Sequence, residues 1–165
     1  RGEVDKTNTL WVSGGSSAFR KSMWENLGGL NELYNPFYWE DIDISYRALK
    51  STYKILFEPK SVVIHQHEKG EIKKEYSPLQ VKKISYRNQF MFVWLNASDT
   101  NLLISHILWL PYHFLKSLLA KDWAFYIGFY NAIIRLRRVI FYRIKNKKNF
   151  KRKDDDVVAE FSKDL

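Results

Sequence analysis

Three carboxylates stand within four positions of the sequence, at Glu40, Asp41 and Asp43, and an aromatic run at 37–39 precedes them directly. A carboxylate can take a proton from a hydroxyl group and so serve as a general base. Acidic residues are also common at the start of a helix, where they interact with its electropositive N-terminus. The residues alone therefore leave two interpretations open, a catalytic cluster or a helix start.

A helix must position these acids. Apolar residues recur at helical spacing from Asp41 to Lys50, and Asp43 lies four residues before Arg47, the spacing of an ion pair on a helix surface. The helix N-terminus favours ionised Asp41, whereas the neighbouring negative charges raise its proton affinity. We expect Arg47 to moderate that repulsion.

The first part of the chain, residues 1–75, alternates short strand and helix patterns, which predicts an α/β fold. A short helix is expected from Met23, with Ser22 in a capping box and Gly28-Gly29 at its end. The runs with strand character are Leu10–Val12, Ala18–Phe19, Tyr53–Phe57 and Ser61–His65.

Length and composition set wider limits. A chain of 165 residues suits one domain or part of a larger one, and its start at Arg1 without a signal-peptide pattern suggests a piece of a longer protein. Cysteine is absent, which excludes disulfides and thiolate metal sites. The formal net charge is +9, and much of the excess falls in a basic cluster from Arg135 to Lys153.

The second part, residues 76–150, is predicted to be helical, apolar and basic. Ser77-Pro78 marks a helix start, and two uncharged segments follow at Thr100–Leu115 and Trp123–Ile134. Each is shorter than the roughly 20 residues of a membrane span, so we expect interfacial helices or a re-entrant hairpin on an anionic membrane surface. The same helices would also suit packing on a protein core or a partner subunit.

The remaining residues, 151–165, form a charged tail that we expect to be disordered. Its three consecutive aspartates resemble a metal motif by letter only, because they follow a basic run in a polar segment.

A series of motifs in the first part resembles the family 2 glycosyltransferases, over about residues 10 to 68. The similarity is to the C-terminal half of their GT-A catalytic domain, in bacterial rhamnosyltransferase-like enzymes that build cell-surface polysaccharides. Asn31 departs from the family pattern, which usually has Asp there. The motifs, in order, are Gly14-Gly15, Phe19-Arg20-Lys21, Leu27 to Glu32, Glu40 to Asp43 and Pro59 to His65.

The resemblance implies an inverting sugar transfer from a nucleotide-sugar donor to a glycan or lipid-linked acceptor. It assigns Asp41 as the general base, with Glu40 beside it orienting the acceptor or tuning the charge. Substrate contacts are then expected from the aromatic faces of Phe37, Tyr38 and Trp39, from Arg47, and from Gly14 and Gly15, where a missing Cβ permits close approach of a sugar.

The resemblance also implies a divalent cation, Mn²⁺ or Mg²⁺, with His65 as a ligand. The other ligand should come from an earlier Asp-x-Asp motif, and none precedes Glu40. We therefore expect the nucleotide-binding half to be missing and this chain alone to be inactive. The family expectation for location is peripheral, at the cytoplasmic face of the bacterial inner membrane.

Two other classes of function remain open. The chain could be a non-catalytic membrane-tethering or scaffold module of a polysaccharide assembly complex. It could also bind nucleic acid through the basic cluster, where aromatic residues are interleaved with Lys and Arg. We do not expect nucleic acid as a partner, because anionic lipid directly explains a basic run beside apolar helices.

Overall fold

The computed structural model describes residues 7–64 and 71–162. Helices make up most of these residues. They are α1 (Lys21–Leu27), α2 (Glu40–Lys50), α3 (Glu71–Glu75), α4 (Pro78–Asn96), α5 (Thr100–Leu119), α6 (Trp123–Ile133), α7 (Leu136–Lys147) and α8 (Asp154–Ser162), with a 3-10 turn at Glu32–Tyr34 and two strands, β1 (Thr7–Asn8) and β2 (Leu56–Phe57).

The predicted α/β fold, with a GT-A half-domain, is wrong, because the described chain is mostly helical. Its strand pairing is a single antiparallel contact in which Thr7 lies opposite Phe57 and Asn8 opposite Leu56. The predicted strands at 10–12, 18–19 and 61–64 are not strands in the structure. A β-rich run needs the backbone of a neighbouring strand to satisfy its N–H and C=O groups, and the described residues provide that over two positions only.

The apolar residues of the first expected strand are used in another way. Leu10 and Val12 pack against a small cluster in which Leu49 of α2, Ile55 and Val157 of α8 are buried. Burial of apolar side chains does not require a sheet, so the hydrophobic pattern is satisfied by helix contacts instead.

The main core lies between α4, α6 and α7. Phe90, Met91 and Leu95 of α4 are buried there with residues of the other two helices. Gly128 lets α6 approach α4 closely, since a Cβ at this position would lie 2.6 Å from Cβ of Tyr86. The helical second part predicted from the sequence is confirmed, and α4 begins at Pro78 behind the capping box of Ser77.

Helix α5 is the one helix, in the part of the chain described here, that is long and apolar enough to cross a membrane. Its 20 residues correspond to about 30 Å at 1.5 Å per residue. The sequence predicted a shorter segment ending at Leu115, but the helix continues past Lys116 to Leu119. Very little of α5 is buried.

The predicted disorder of the tail does not agree with the structure, which places α8 against α2. The carboxylate of Asp154, at the start of α8, lies 2.6 Å from Nζ of Lys50, and both side chains are fully buried. The same carboxylate accepts hydrogen bonds from the hydroxyl of Tyr46 and the backbone N–H groups of Ser98 and Asp99. A charged residue in a polar tail is thus part of the packed fold.

Candidate functional site

Glu40 and Asp41 occupy the first turn of α2, as the sequence predicted. The chain enters this helix through two consecutive residues with left-handed backbones, Tyr38 at φ 70° and Trp39 at φ 76°. Such conformations cost non-glycine residues about 1–3 kcal/mol each and persist only where surrounding contacts hold them.

The contacts that hold this entry loop come from α4. The side-chain amide of Asn88, which is fully buried, donates to the carbonyl oxygens of Tyr34 at 2.8 Å, Phe37 at 2.9 Å and Tyr38 at 2.8 Å. Three converging carbonyl groups on one amide fix the loop that leads into the acidic pair. Asn88 was missed at the sequence level, because its partners lie about fifty residues away.

The structure brings Asp41 and Gly14 together. One carboxylate oxygen of Asp41, Oδ2, accepts a hydrogen bond from the backbone N–H of Gly14 at 3.1 Å, and Oδ1 accepts one from Ile42 at 2.8 Å. The hydroxyl of Ser45 donates to the carbonyl of Asp41 and accepts from the N–H of Val12. The loop that carries Gly14 is thereby tied to the start of α2, while the Asp41 side chain stays partly exposed.

The two glycines differ in their surroundings. A Cβ on Gly14 would make ordinary contacts with Asp41, whereas a Cβ on Gly15 would meet no atom within 4 Å. Neither position therefore needs glycine for steric reasons within the described fold. The predicted close approach of a sugar to this backbone stays a prediction.

Glu40 is half-buried, and burial raises the pKa of its carboxyl above the usual range, with a further upward contribution from the charge of Asp41. A hydrogen bond with its own backbone opposes this shift. Its oxygen Oε2 is buried without a hydrogen-bond partner among the residues that the structure describes. The acidic pair is thus asymmetric, with one carboxylate bound by backbone N–H groups and one partly unsatisfied.

Arg47 does not contact a substrate-accessible surface, contrary to the prediction of a substrate-binding role. Its side chain is buried, and its Nε lies 2.7 Å from a carboxylate oxygen of Asp43. The two terminal nitrogens donate to the carbonyl oxygens of Leu27 at 2.6 Å and Gly29 at 2.7 Å. With these donors engaged, Arg47 anchors α2 to the end of α1, and the predicted pairing with Asp43 is confirmed.

Asp43 is likewise structural, since it is fully buried. Its other oxygen, Oδ1, accepts from the hydroxyl of Tyr34 at 2.9 Å and from the amide of Asn96 at 2.7 Å. Burial and the nearby Asp43 charge raise the pKa of Tyr34 well above its ordinary value, which keeps the phenol protonated as a donor. Of the three acids in the motif, two therefore remain available for chemistry.

The aromatic run is divided between core and surface. Phe37 is buried and makes edge contacts with Tyr38 and Tyr76, and Trp39 packs on Phe92 with ring centroids 5.3 Å apart. Tyr38 is exposed. The predicted platform for a sugar is therefore reduced to one exposed ring, because the other two side chains are needed to bury the loop.

A small cavity of about 170 Å³ lies beside the acidic pair. It is bounded by the 3-10 turn, the loop after it and the side chain of Glu40. Asn31 also lines it, and this side chain is buried with its amide nitrogen unpartnered among the described residues. The sequence marked Asn31 only as a departure from the family pattern.

The predicted metal ligand His65 lies outside the described residues. Within residues 7–64 and 71–162, no group of three or more His, Asp or Glu side chains is placed to hold a metal ion. The divalent cation and its ligand His65 therefore stay predictions.

No family model, curated protein or solved structure matches this chain. The resemblance to family 2 glycosyltransferases accordingly stays a prediction, carried by the motifs alone.

Proposed function

We propose that this chain is part of an enzyme that transfers a sugar from a nucleotide-sugar donor to a hydroxyl group of a glycan or lipid-linked acceptor, with Asp41 as the general base. The observation that carries the proposal is the placement of Asp41. Its carboxylate is partly exposed at the N-terminus of α2 and is oriented by the N–H of Gly14. The proposal rests on this local geometry and the motif series, and requires no sheet.

The chemistry assigned to Asp41 is proton removal. As the acceptor oxygen forms a bond to the anomeric carbon, its proton passes to the carboxylate. The bond between that carbon and the phosphate oxygen breaks, and the nucleoside diphosphate leaves with the electron pair. A positioned general base typically contributes about 10²–10⁴-fold to the rate of such a step.

The position of Asp41 before the reaction is supported by the buried groups beneath it. Arg47 ties α2 to the end of α1, and Asn88 holds the loop that leads into α2, in both cases through hydrogen bonds to backbone carbonyls. A base held by groups that do not themselves react can meet the acceptor without rearrangement. Glu40, the adjacent carboxylate, is assigned the orientation of the acceptor.

The proposed location is peripheral, at the cytoplasmic face of the bacterial inner membrane. Helix α5 presents exposed apolar side chains over its length, and Trp109, Trp123 and Tyr130 are exposed as well. Aromatic rings of this kind favour the headgroup region, and the basic cluster from Arg135 to Lys153 suits anionic lipid. A lipid-linked acceptor would be presented at such a surface.

The test compares the enzyme expressed from its whole reading frame with its Asp41→Asn variant, using nucleotide-sugar donors in a transfer assay. We expect kcat to fall by about 10²-fold or more while acceptor and donor binding persist. The control is Asp155→Asn, which removes an exposed carboxylate from α8. Unchanged turnover in Asp41→Asn would show that this acid only caps the helix.

A second candidate is a non-catalytic membrane-tethering module, which the exposure of α5 favours. Both candidates predict membrane association, but the tethering module predicts that the whole protein transfers no sugar. Flotation with anionic vesicles, set beside oligonucleotide binding over a salt series, tests the membrane assignment. Salt-sensitive DNA binding without vesicle uptake would favour the nucleic-acid alternative.

A further inference from the structure

A groove of about 310 Å³ lies between α4 and α5, and α6 also contributes to its lining. Its two walls carry Tyr86, Phe90 and Val93 of α4 and His106, Leu110 and His113 of α5. These residues recur every three or four positions, so each set forms a stripe along one face of its helix. Asn88, which holds the loop before Glu40, is about half a turn of α4 away from this stripe. The groove and the acidic pair are therefore on opposite sides of α4.

Charged side chains are concentrated at one end of the groove. His113 and Lys116 are exposed there, three positions apart on α5. Asp122 lines the same end, and its oxygen Oδ2 lies 2.9 Å from Nζ of Lys82 and accepts a hydrogen bond from the hydroxyl of Tyr86 at 2.7 Å. Because Lys82 offsets the charge of Asp122, the ammonium group of Lys116 leaves this basic end with an excess of positive charge.

The other end of the groove is apolar. It is lined by Phe90, Val93 and Leu110. The imidazole of His106 lies there too, and its Nε2 accepts a hydrogen bond from the indole N–H of Trp94 at 3.2 Å. An indole N–H can only donate, so this nitrogen carries no proton and the imidazole is neutral. Burial and the charge of His113 lower the pKa of His106, which agrees with a neutral ring.

We propose that this groove binds one lipid molecule that has a phosphate head and a hydrocarbon chain, with the head at the basic end and the chain at the apolar end. The inference goes beyond the proposed sugar transfer and does not depend on it. It also differs from the attraction of the basic cluster to an anionic membrane, because the groove would hold an individual molecule.

The two ends of the groove together select this ligand. Phosphate oxygens accept hydrogen bonds from an ammonium group and from an imidazole N–H, and such charge-assisted bonds are among the stronger ones. A small anion without a chain would leave the apolar end in contact with water, whereas burial of a hydrocarbon chain there is favourable. A neutral amphiphile would bury its chain but leave the charge of Lys116 without a counter-charge.

The size and position of the groove also fit part of one chain. Its volume is at the lower limit of the roughly 300–1,000 Å³ of pockets that enclose small molecules. Very little of α5 is buried, so one wall of the groove belongs to a helix whose outer face is apolar and exposed. A lipid in a bilayer beside α5 would have a short path into the groove.

The test measures binding of dodecyl phosphate to the whole protein by isothermal titration calorimetry, below the critical micelle concentration of the ligand. Lys116→Gln removes the charge of the basic end but keeps a polar side chain. Val93→Phe fills part of the apolar end and changes no charge. We expect each variant to weaken binding by at least about tenfold, as loss of a charged hydrogen bond or of space for the chain predicts.

Matched controls lie outside the groove lining. Lys145→Gln removes an exposed lysine of the basic cluster, and Leu108→Phe enlarges an exposed apolar side chain of α5. Both variants should bind dodecyl phosphate as the parent protein does. Asp41→Asn should also bind it normally, so a failure of the proposed transfer would leave the groove standing. Far-UV circular dichroism and thermal unfolding verify that each variant is folded.

Two comparison ligands separate the contributions of head and chain. Inorganic phosphate has the head without the chain, and dodecyl maltoside has the chain with a neutral head. We expect each to bind at least about tenfold more weakly than dodecyl phosphate. Equal binding of dodecyl maltoside would contradict the assignment of an anionic head, and equal binding of inorganic phosphate would contradict a role for the chain.

Other results would overturn the lipid site altogether. One is the absence of dodecyl phosphate binding, or equal binding by the parent protein and both groove variants. Another is an equal loss in Lys145→Gln and Lys116→Gln, which would show attraction to net charge alone. A dimer in analytical ultracentrifugation that Val93→Phe dissociates would assign the groove to a second copy of the chain instead.

Discussion

The buried charge pair between α2 and α8 permits a quantitative prediction for Asp154→Asn. Lys50 and Asp154 are 0% and 1% exposed, with Nζ and Oδ1 2.6 Å apart. The substitution leaves the ammonium group of Lys50 buried without a counter-charge, which typically costs about 3–5 kcal/mol. Since a domain of this size is stable by about 5–15 kcal/mol, this variant should lose a large share of its stability.

Asparagine keeps part of the hydrogen bonding of Asp154. Oδ2 of Asp154 accepts from the backbone N–H of Ser98 at 2.6 Å and of Asp99 at 2.7 Å, and an amide oxygen can keep these two bonds. Lys50 retains contacts with the hydroxyl of Ser98 and the carbonyl of Asn96, both uncharged. The measured loss should therefore reflect the missing negative charge together with the loss of Oδ1 as an acceptor for Lys50 and Tyr46.

The assay is urea unfolding followed by circular dichroism. Asp155→Asn, the exposed neighbour on the same helix, should change the free energy of unfolding by less than about 0.5 kcal/mol. The double variant Lys50→Met/Asp154→Asn should be more stable than Asp154→Asn, because the uncompensated charge is gone. A double variant that is less stable than Asp154→Asn would refute the reasoning.

The same pair predicts a pH dependence. Burial alone would raise the pKa of Asp154, but hydrogen bonds from Lys50, Tyr46 and the backbone N–H of Asp99 hold it below its ordinary value. A lowered folded-state pKa gives stability that is present above the unfolded-state pKa of about 3.9 and is lost as pH falls through the folded-state pKa. The difference in the free energy of unfolding between the parent chain and Asp154→Asn should accordingly be constant near neutrality and become smaller below about pH 4.

Two further stability predictions use the same unfolding assay. Gly128→Ala forces a Cβ to within 2.6 Å of Tyr86 at the contact of α4 and α6, and should lower the free energy of unfolding by about 1–3 kcal/mol. As the control, the Cβ of Gly15→Ala meets no atom within 4 Å, and this variant should be as stable as the parent protein. Equal effects of the two glycine substitutions would contradict the close packing assigned to α6. Tyr34→Phe removes one of the donors to the buried carboxylate of Asp43 and should cost about 1.5–3 kcal/mol, and an unchanged midpoint would show that this bond contributes nothing.

Local signals in the sequence were sufficient for several helices. The periodicity from Asp41 to Lys50 predicted α2 to within one residue, and Ser77-Pro78 gave the start of α4. Gly28 ends α1 with a left-handed backbone, as expected, although the helix begins before the predicted cap at Ser22. Caps and periodicity depend on residues three or four apart, which is the range that sequence patterns report well.

Features that depend on distant partners could not be predicted. The expected strands had the right composition, but pairing depends on whether another strand lies alongside, and residue type does not determine that. The sequence predicted that Arg47 contacts a substrate. The carbonyl groups that bind it in the structure lie eighteen and twenty residues earlier, so no local pattern indicated them. Asp154 was assigned to a solvated tail. Its partner Lys50 is 104 residues away, so the sequence around Asp154 gave no sign of the buried pair.

Helix α4 has a consequence for how the protein would meet a surface. Within one turn, its Asn88 binds the carbonyl groups of the loop before Glu40, while Tyr86 and Arg87 lie so close to Gly128 of α6 that they leave no room for a Cβ there. The acidic pair and the apolar helices are thus joined by a rigid spacer in α4, in which Tyr86 and Asn88 are about 3 Å apart along the helix axis. On a bilayer, this spacer would set the height of the carboxylates above the lipid headgroups, and therefore how far an acceptor must protrude to be reached.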